Sequence, residues 1–239
     1  MRVGLPPPAK PQRKADWAVH VALGAAIIIA GAWLFGGVAP EWLNAKAIAS
    51  LDLKSAKWLH EHAGPTLTAF MVWVSAVHGT AGILVLAAGA GAILWRRHDR
   101  DALLRLALAV PGGLLLNVAV KEAVHRARPH YFESPVQTLT SFSFPSGHTA
   151  GSVFFYGFLA WWLSRLQPSP ALRAAVLASA FALVALVATS RIVLGAHYLS
   201  DVLAAAVEGC AWLAICLSAP PPGPWVDPLS RQRASHGRS

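Results

Sequence analysis

The sequence predicts an all-α protein, an integral-membrane bundle of six transmembrane helices. Hydrophobic residues make up 55% of the chain and charged residues only 13%, about half of the roughly 25% that is typical of soluble proteins. The apolar residues lie in long runs close to the ~20 residues that a helix needs to cross a bilayer. Basic residues cluster at the ends of these runs, and ten Trp suit a chain that has two water interfaces to anchor.

The six apolar runs give the expected spans and the domain organisation. The first run is longer than the ~7–15-residue core of a signal peptide, so we expect a retained helix, and Pro65 predicts a tilt or irregular start before the second. We expect a disordered basic segment at 1–16, a membrane domain at 17–219 and a disordered tail at 220–239. The expected spans are 17–38, 68–95, 102–122, 148–166, 171–191 and 198–218.

Charge asymmetry between the loops predicts the topology. Arg and Lys concentrate in the N-terminal segment, in the loops after the second and fourth spans, and in the tail. The positive-inside rule therefore predicts that both termini are cytoplasmic, which an even number of spans also requires. The loops at 40–65, 122–147 and 191–197 then face the opposite side. The Ala-, Gly- and Arg-rich composition favours a bacterial inner membrane.

The net charge of +9 does not indicate a nucleic-acid partner, because the basic residues flank apolar runs and do not gather on one soluble face. The segment 41–62 carries apolar residues at near-helical spacing among charges. It is either a helix lying in the membrane interface or an ordinary connecting helix packed on the bundle.

Polar residues cluster at helix ends on the predicted non-cytoplasmic side. Charged residues at that depth are costly unless they are paired or solvated, so such a cluster indicates a functional site. The segments 121–129, 145–148 and 190–201 supply it. By the predicted topology these helix ends lie at one depth, where the folded bundle can bring them together.

The residue types suit phosphoryl transfer. Lys121, Arg128 and Arg191 offer three cations to a tetrahedral oxyanion, and an arginine can hold two oxygens at once. The fourth span begins at a Pro-Ser-Gly-His sequence, and free N–H groups at a helix start attract phosphate oxygens. Gly147 allows close approach of the backbone to the anion, and Ser146 adds a hydroxyl donor.

Two histidines complete the set. His197 and Asp201 are four residues apart at the start of the sixth span, so the carboxylate can hold one ring nitrogen and leave the other free to attack phosphorus. His148 is then the natural proton donor to the leaving oxygen. The residues alone do not decide which histidine is the nucleophile.

These motifs resemble the type 2 phosphatidic acid phosphatase superfamily, which also includes the vanadium haloperoxidases. The family pattern has three blocks, K-x6-RP, PSGH and SR-x5-H-x3-D. They occur here at 121–129, 145–148 and 190–201, and all eleven specified positions match in order and spacing. The six-helix layout resembles the membrane branch of the family, whereas the haloperoxidases are soluble.

The resemblance implies a role for each matched residue. His197 would be the nucleophile that forms a phosphohistidine, Asp201 would orient it, and His148 would be the general acid. The residues implied to bind phosphate are Lys121, Arg128, Ser146, Gly147 and Arg191. No cofactor or metal is expected, because the sequence has neither a carboxylate cluster for Mg²⁺ nor an HExxH helix for zinc. Zinc ligation by the histidines is disfavoured by the surrounding cations.

Four further polar residues are pocket candidates with alternative explanations. Glu208 lies near mid-membrane, where it either hydrogen-bonds another helix or enters the substrate pocket. Asn117, one turn before Lys121, would support that lysine or pair with Glu208. His78 either approaches the site or packs between helices. Arg126 would add charge to the phosphate pocket.

The predicted function is a metal-independent phosphatase of a lipid phosphate or pyrophosphate in the bilayer. The resemblance suggests undecaprenyl pyrophosphate, phosphatidylglycerol phosphate and phosphatidic acid as substrates. A lipid phosphotransferase is the main alternative, because a hydroxyl acceptor could replace water at the same phosphohistidine. A non-catalytic lipid-binding or scaffolding protein is disfavoured by the intact motifs. The sequence does not predict an oligomeric state.

Overall fold

The computed structural model describes residues 10–35, 45–129, 136 and 141–218, and every regular element in this part of the chain is a helix. The predictions for residues 1–9 and for the tail 220–239 lie outside the described residues. The helices are α1 (Lys10–Phe35), α2 (Ala45–His62), α3 (Pro65–Val77), α4 (Thr80–Arg96), α5 (Arg100–Ala107), α6 (Gly113–Val124), α7 (Gly147–Leu166), α8 (Pro170–Val193) and α9 (Leu199–Ser218), with a π-helical turn (Leu108–Gly112) between α5 and α6.

Helix α7 is the centre of the bundle. It packs against α4, α6, α8 and α9, while α1 packs along the outside of α9. Phe154 and Phe158 of α7 are fully buried in the main apolar core. A Cβ atom on Gly209 of α9 would lie 2.5 Å from the side chain of Val153, so only a glycine allows α7 and α9 to approach this closely.

Three stretches of the described chain are long and apolar enough to cross a membrane: Arg100–Val124, Pro170–Val193 and Leu199–Ser218. The pair α3–α4 gives a fourth if its two helices are counted as one span. The described apolar part of α1 is the shorter stretch Trp17–Gly31. Helix α7 has 20 residues, but its first turns are polar. The all-helical architecture with several candidate membrane spans is therefore observed, and the count of six spans stays a prediction.

The second expected span is broken. Helices α3 and α4 meet at an angle of 56° at His78 and Gly79, and Gly79 has the extended conformation (φ −64°, ψ 171°) that precedes a new helix. The break is favoured by glycine, which costs a helix about 1 kcal/mol in its interior, but it is not caused by glycine alone, because Gly82, Gly89 and Gly91 lie within the unbroken α4. It brings Thr80, the first residue of α4, to the edge of the site described below.

The third expected span contains a π-helical turn around Pro111. Proline has no N–H and its ring clashes with the preceding turn, and the wider π turn accommodates it without ending the helix. At the other end of the chain, α1 begins at Lys10, although we expected disorder as far as residue 16. Proline is tolerated in a first helical turn, so Pro11 is compatible with a helix that begins at Lys10.

Helix α2 packs on the ends of α8 and α9, as expected of a connecting helix docked on the bundle. Its inward face carries Asp52 and Ala56, which are each 2% exposed. Its outward face exposes Leu51 and Trp58, each at 59%, and this apolar surface is also what an interfacial helix requires.

Candidate active site

Four chain segments converge at one end of the bundle: the end of α6, the loop after it, the start of α7, and the turn between α8 and α9. They enclose an open cavity of about 230 Å³. Its lining brings together five of the predicted catalytic and phosphate-binding residues, namely Lys121, Arg128, Gly147, His148 and His197. Asn117, Glu122, Thr80 and Ser141 also line it, with Leu114 and Val118 as apolar wall residues.

His197 stands between a carboxylate and a cation. Its Nδ1 lies 3.5 Å from Oδ2 of Asp201, and its Nε2 lies 3.3 Å from Nη1 of Arg128. The same Oδ2 accepts hydrogen bonds from the Tyr198 backbone N–H at 2.9 Å and from the Ser143 hydroxyl. His197 and Asp201 are almost completely buried, so the carboxylate faces one ring nitrogen and leaves the other toward the cavity.

The turn that presents His197 follows from one glycine. Gly195 has a φ of +64°, in the left-handed region that side chains disfavour. The reversal lets the N–H groups of Ala196 and His197 donate to the carbonyl of Arg191, at 3.0 and 3.2 Å. The last turn of α8 is thereby closed, and the nucleophile candidate is held against the arginine that precedes it.

Burial lowers the pKa of His197 from 6.5 to about 3. The nearby Asp201 carboxylate opposes this shift, whereas the charges of Arg191 and Lys121 lower the pKa further. The imidazole is therefore neutral at physiological pH, the state in which a ring nitrogen carries a free lone pair.

The three predicted cations are held in different ways. Arg128 donates to the carbonyls of Ser141 and Ala196, both at 2.8 Å. Lys121 donates to three loop carbonyls, the shortest bond being 2.6 Å to Pro145. Arg191 is 1% exposed and donates through Nη1 to the Ser75 hydroxyl.

Arg191 keeps free donors. Within the described part of the chain, its Nε and Nη2 atoms are buried and have no hydrogen-bond partner. Unpaired buried donors are costly and uncommon in folded proteins. Two such donors on one guanidinium therefore point to an acceptor that binds there, and an oxyanion fits that geometry.

The start of α7 is held by Ser146. Its hydroxyl oxygen accepts from the Thr149 N–H at 3.5 Å and from the Thr149 hydroxyl at 3.1 Å, so Ser146 is the N-cap of the helix. A Cβ atom on Gly147 would lie 3.3 Å from Oδ1 of Asn117, tighter than ordinary contact. Glycine thus leaves the backbone at the helix start open to the cavity, beside His148.

Arg126 does not line the cavity, contrary to the expectation that it adds charge to the phosphate pocket. It donates to Asp201 Oδ1 at 2.6 Å, to Asp52 Oδ2 at 2.9 Å and to the Ser200 hydroxyl at 2.8 Å. Its guanidinium lies 4.3 Å from the centre of the Tyr198 ring. Two buried carboxylates attract the cation more strongly than an open cavity does.

The remaining pocket candidates divide. Asn117 lines the cavity and donates to Glu208 Oε2 at 2.9 Å, so Glu208 is joined to another helix and lies behind the cavity wall. His78 is a packing residue between α3 and α7, since its Nε2 lies 2.7 Å from the Tyr156 hydroxyl and its Nδ1 lies 2.8 Å from the Val74 carbonyl.

Sequence reasoning missed the polar residues behind the site: Asp52, Ser75, Ser143 and Tyr198. Serine at these positions gives no pattern that separates it from any other small residue. The only available signal was Asp52, a carboxylate at the same helical register as the apolar residues of α2. Among the described residues, no three His, Cys, Asp or Glu side chains are grouped as metal ligands.

Comparison with known proteins places the chain in a family. The sequence model of the PAP2 superfamily matches residues 102–223, more than half of the chain and the whole of the cavity-forming segments from α6 onward. The chain belongs to the PAP2 superfamily. The recognition made from the three motif blocks is therefore confirmed.

One curated relative is similar to this chain over half of the chain's length. Phosphatidylglycerophosphatase B of Bacillus subtilis (strain 168) is 36% identical over 121 residues, which are 50% of this chain and 58% of that relative. The alignment thus spans little more than half the length of the curated relative.

The fold extends further than that alignment. The crystal structure of the transmembrane PAP2-type phosphatidylglycerolphosphate phosphatase from Bacillus subtilis matches with a TM-score of 0.68 and 27% identity, over 82% of this chain and 93% of that one. LpxE of Aquifex aeolicus matches with a TM-score of 0.55 and 22% identity, over 70% and 94% of the two chains. The latter likeness concerns the fold alone.

Proposed function

We propose that this protein is a metal-independent phosphatase that hydrolyses a phosphate ester or diphosphate on a lipid through a phosphohistidine. The observation that carries the proposal is His197, a neutral imidazole with Asp201 at Nδ1 and the cation-lined cavity at Nε2. An attacking nitrogen opposite an orienting carboxylate, beside donors for an oxyanion, is the arrangement that nucleophilic phosphoryl transfer needs.

In the first half-reaction, the Nε2 lone pair of His197 attacks phosphorus. The N–P bond forms while the bond from that phosphorus to the leaving oxygen breaks. The leaving oxygen is the ester oxygen of a monophosphate or the bridging oxygen of a diphosphate. His148, whose protonated form the bound phosphate anion favours, gives its proton to that oxygen. Asp201 stabilises the positive charge that develops on the imidazole. The products of this step are a lipid alcohol, or a lipid monophosphate from a diphosphate, and phosphohistidine.

In the second half-reaction, a water molecule attacks the phosphohistidine. His148, now neutral, takes the proton of the water as the O–P bond forms and the N–P bond breaks, which returns both histidines to their starting states. Lys121, Arg128 and Arg191 stabilise the negative charge on the phosphoryl oxygens in both steps. Preorganised cations of this kind supply most of the catalysis in phosphoryl transfer.

The lipid tail has a route beside the cavity. Val118, which lines the cavity, is 54% exposed, and Leu115 on the same helix is 72% exposed. We infer that the head group enters the cavity while the acyl or prenyl chain lies along α6. Phosphatidylglycerol phosphate is the first substrate to test because of the name of the Bacillus subtilis relative, followed by undecaprenyl pyrophosphate and phosphatidic acid.

We further propose six spans in a bacterial inner membrane, with both termini cytoplasmic and the site at the periplasmic or outer face. This topology is supported by the basic residues near the far end of α7. Arg165 lies 3.8 Å from Asp101, and Arg97 lies 5.7 Å from the ring centre of Trp162. These arginines therefore share one end of the bundle, as the positive-inside rule requires, and the cavity lies at the other.

The test is phosphate release from the three lipids in detergent with EDTA present. Wild type should release phosphate, and His197→Ala should reduce the rate by at least about 10³-fold because no other group replaces the nucleophile. The matched control is His62→Ala, which removes an exposed histidine of α2 and should leave the rate unchanged. Turnover of His197→Ala at the wild-type rate would refute the nucleophile.

The same assay separates hydrolysis from phosphotransfer. Glycerol or a lipid alcohol is added and the products are resolved: inorganic phosphate as the main product supports the phosphatase, whereas a phosphorylated acceptor as the main product replaces it with a phosphotransferase. A folded wild type that transfers phosphate from none of the lipids to water or acceptor would overturn the proposal.

A further inference from the structure

Helix α2 buries a carboxylate against the site. Asp52 is 2% exposed and lies one turn before Ala56 on the face that contacts α8 and α9. The other acidic residue of α2 beyond it, Glu61, is exposed. Burying a carboxylate costs several kcal/mol unless it is fully paired. The buried position of Asp52 is therefore explained by its hydrogen-bond and ion-pair partners.

Asp52 binds the start of α9 and the loop after α6. Its Oδ1 accepts from the Ser200 N–H at 2.8 Å, and its Oδ2 accepts from the Ser200 hydroxyl at 2.6 Å and from Arg126 Nη2 at 2.9 Å. Ser200 directly precedes Asp201. Asp52 therefore fixes both the backbone at Asp201 and the arginine that touches it.

Arg126 joins the two carboxylates. Its Nη2 pairs with Asp52, and its Nη1 pairs with Asp201 Oδ1 at 2.6 Å. The second oxygen of Asp201 faces His197. The four side chains thus form a continuous row from the α2 helix to the candidate nucleophile.

The charges along this row have a consequence for His197. Asp201 stabilises an imidazolium or phosphohistidine by its negative charge. If Arg126 paired with Asp201 alone, its positive charge would weaken that effect. Asp52 supplies the compensating negative charge on the far side of Arg126. The row of two carboxylates and one guanidinium carries one net negative charge, which remains available to His197.

We propose that Asp52 is a positioning residue for the His197–Asp201 pair, acting through Arg126 and Ser200, so that α2 is part of the catalytic assembly. This inference rests on the proposed function. Asp52 does not line the cavity, so its replacement should lower turnover without weakening substrate binding.

The experiment compares Asp52→Asn, Arg126→Gln and the double variant in the detergent phosphatase assay, with the one of the three lipids that the wild type hydrolyses fastest. Asp52→Asn should lower kcat by about 10- to 100-fold, the effect of a small displacement of a reacting group, with KM within about twofold of wild type. The double variant should have a higher kcat than Asp52→Asn, because it removes the uncompensated arginine together with its partner. A purely structural role would make the double variant worse than either single one.

Two further variants serve as controls. Glu61→Gln removes an exposed carboxylate from the same helix and should match wild type. Asp52→Glu keeps the charge but displaces the carboxylate by one methylene, so its kcat should lie between those of Asp52→Asn and wild type. If Asp52→Asn elutes as aggregate, Asp52→Glu is compared with wild type, and an unchanged kcat would overturn the inference.

Wild-type kcat in folded Asp52→Asn would overturn the inference, as would a double variant less active than both single ones. A wild type that is inactive on all three lipids would instead count against the proposed phosphatase, so the two failures are distinguishable.

Discussion

His148 and His197 have different roles in the proposed reaction, general acid and nucleophile respectively. His197 is held by Asp201 and neighbours Arg128, whereas His148 lines the cavity from the first turn of α7. The residues alone left open which of the two attacks, because a histidine paired with a carboxylate and a histidine at a helix start can each serve as nucleophile. The carboxylate 3.5 Å from His197 favours His197.

The loss of activity caused by removing the general acid should depend on the leaving group. His148→Ala should lower kcat/KM for a lipid phosphate by about 10²–10⁴-fold, because an alkoxide cannot leave unprotonated. For p-nitrophenyl phosphate, whose leaving group needs no proton, the loss should be much smaller. Equal losses on both substrates would show that His148 is not the proton donor.

The buried neutral state of His197 predicts a pH effect on stability. Its pKa in the folded protein is about 3, below the ordinary 6.5, so the unfolded chain binds more protons between these values. The contribution of the neutral His197 side chain to the free energy of unfolding is therefore fully present above about pH 6.5 and is lost as the pH falls toward 3.

The apparent unfolding temperature in detergent should therefore fall less for His197→Gln than for wild type between pH 7 and pH 5. His62→Gln, at an exposed position, should behave as wild type. Identical pH dependence in His197→Gln and wild type would contradict a neutral buried imidazole.

At the element scale, sequence and structure agree where a local pattern determines the outcome. The fourth, fifth and sixth predicted spans differ from α7, α8 and α9 by at most two residues at either end, because a proline or capping serine marks most of their boundaries. The break at Gly79 and the π turn at Pro111 are decided by packing against neighbouring helices, which a single glycine or proline does not encode.

The same limit explains why Asp52 was missed. In the sequence it is one of several charges on an amphipathic helix and has Lys54 nearby, so it resembles a solvated residue. Only the docking of α2 on α9 places it against Ser200 and Arg126. Residues that complete a motif are visible in sequence, whereas residues that support it from another element are not.

Asp99 stabilises the end of the bundle that is remote from the site. It accepts from the Ala102 N–H at 3.1 Å as the N-cap of α5 and from the Trp162 indole N–H at 3.1 Å. Asp99→Ala should lower stability by about 0.5–2 kcal/mol and the apparent unfolding temperature by a few degrees, with kcat unchanged. Asp99→Asn, which keeps a capping oxygen, should lose less. A loss of kcat without a loss of stability would contradict this account.

At the scale of the whole molecule, the site and the basic clusters lie at opposite ends of α7. The helix has 20 residues and is therefore about 30 Å long, the thickness of a bilayer core. Its first turn carries His148 and its last turn carries Arg165. This polarity agrees with the prediction that the site and the arginines face opposite sides of the membrane.

Cysteine labelling tests this orientation. In a chain without its two native cysteines, Ala127→Cys lies in the exposed loop beside the site and Ala171→Cys lies at the exposed start of α8. An impermeant maleimide should label Ala127→Cys in intact spheroplasts and Ala171→Cys only after lysis. The reverse pattern would place the site in the cytoplasm.

The proposed reaction requires a covalent bond between phosphorus and His197, and the decisive experiment is to trap that phosphohistidine. Wild type is mixed with phosphatidylglycerol phosphate labelled in the terminal phosphate, quenched in alkali, in which phosphohistidine survives, and digested for mass spectrometry. We predict label on the peptide that contains His197, and none in His197→Ala. Label on His148 in the wild type, or equal labelling of His197→Ala, would contradict the claim.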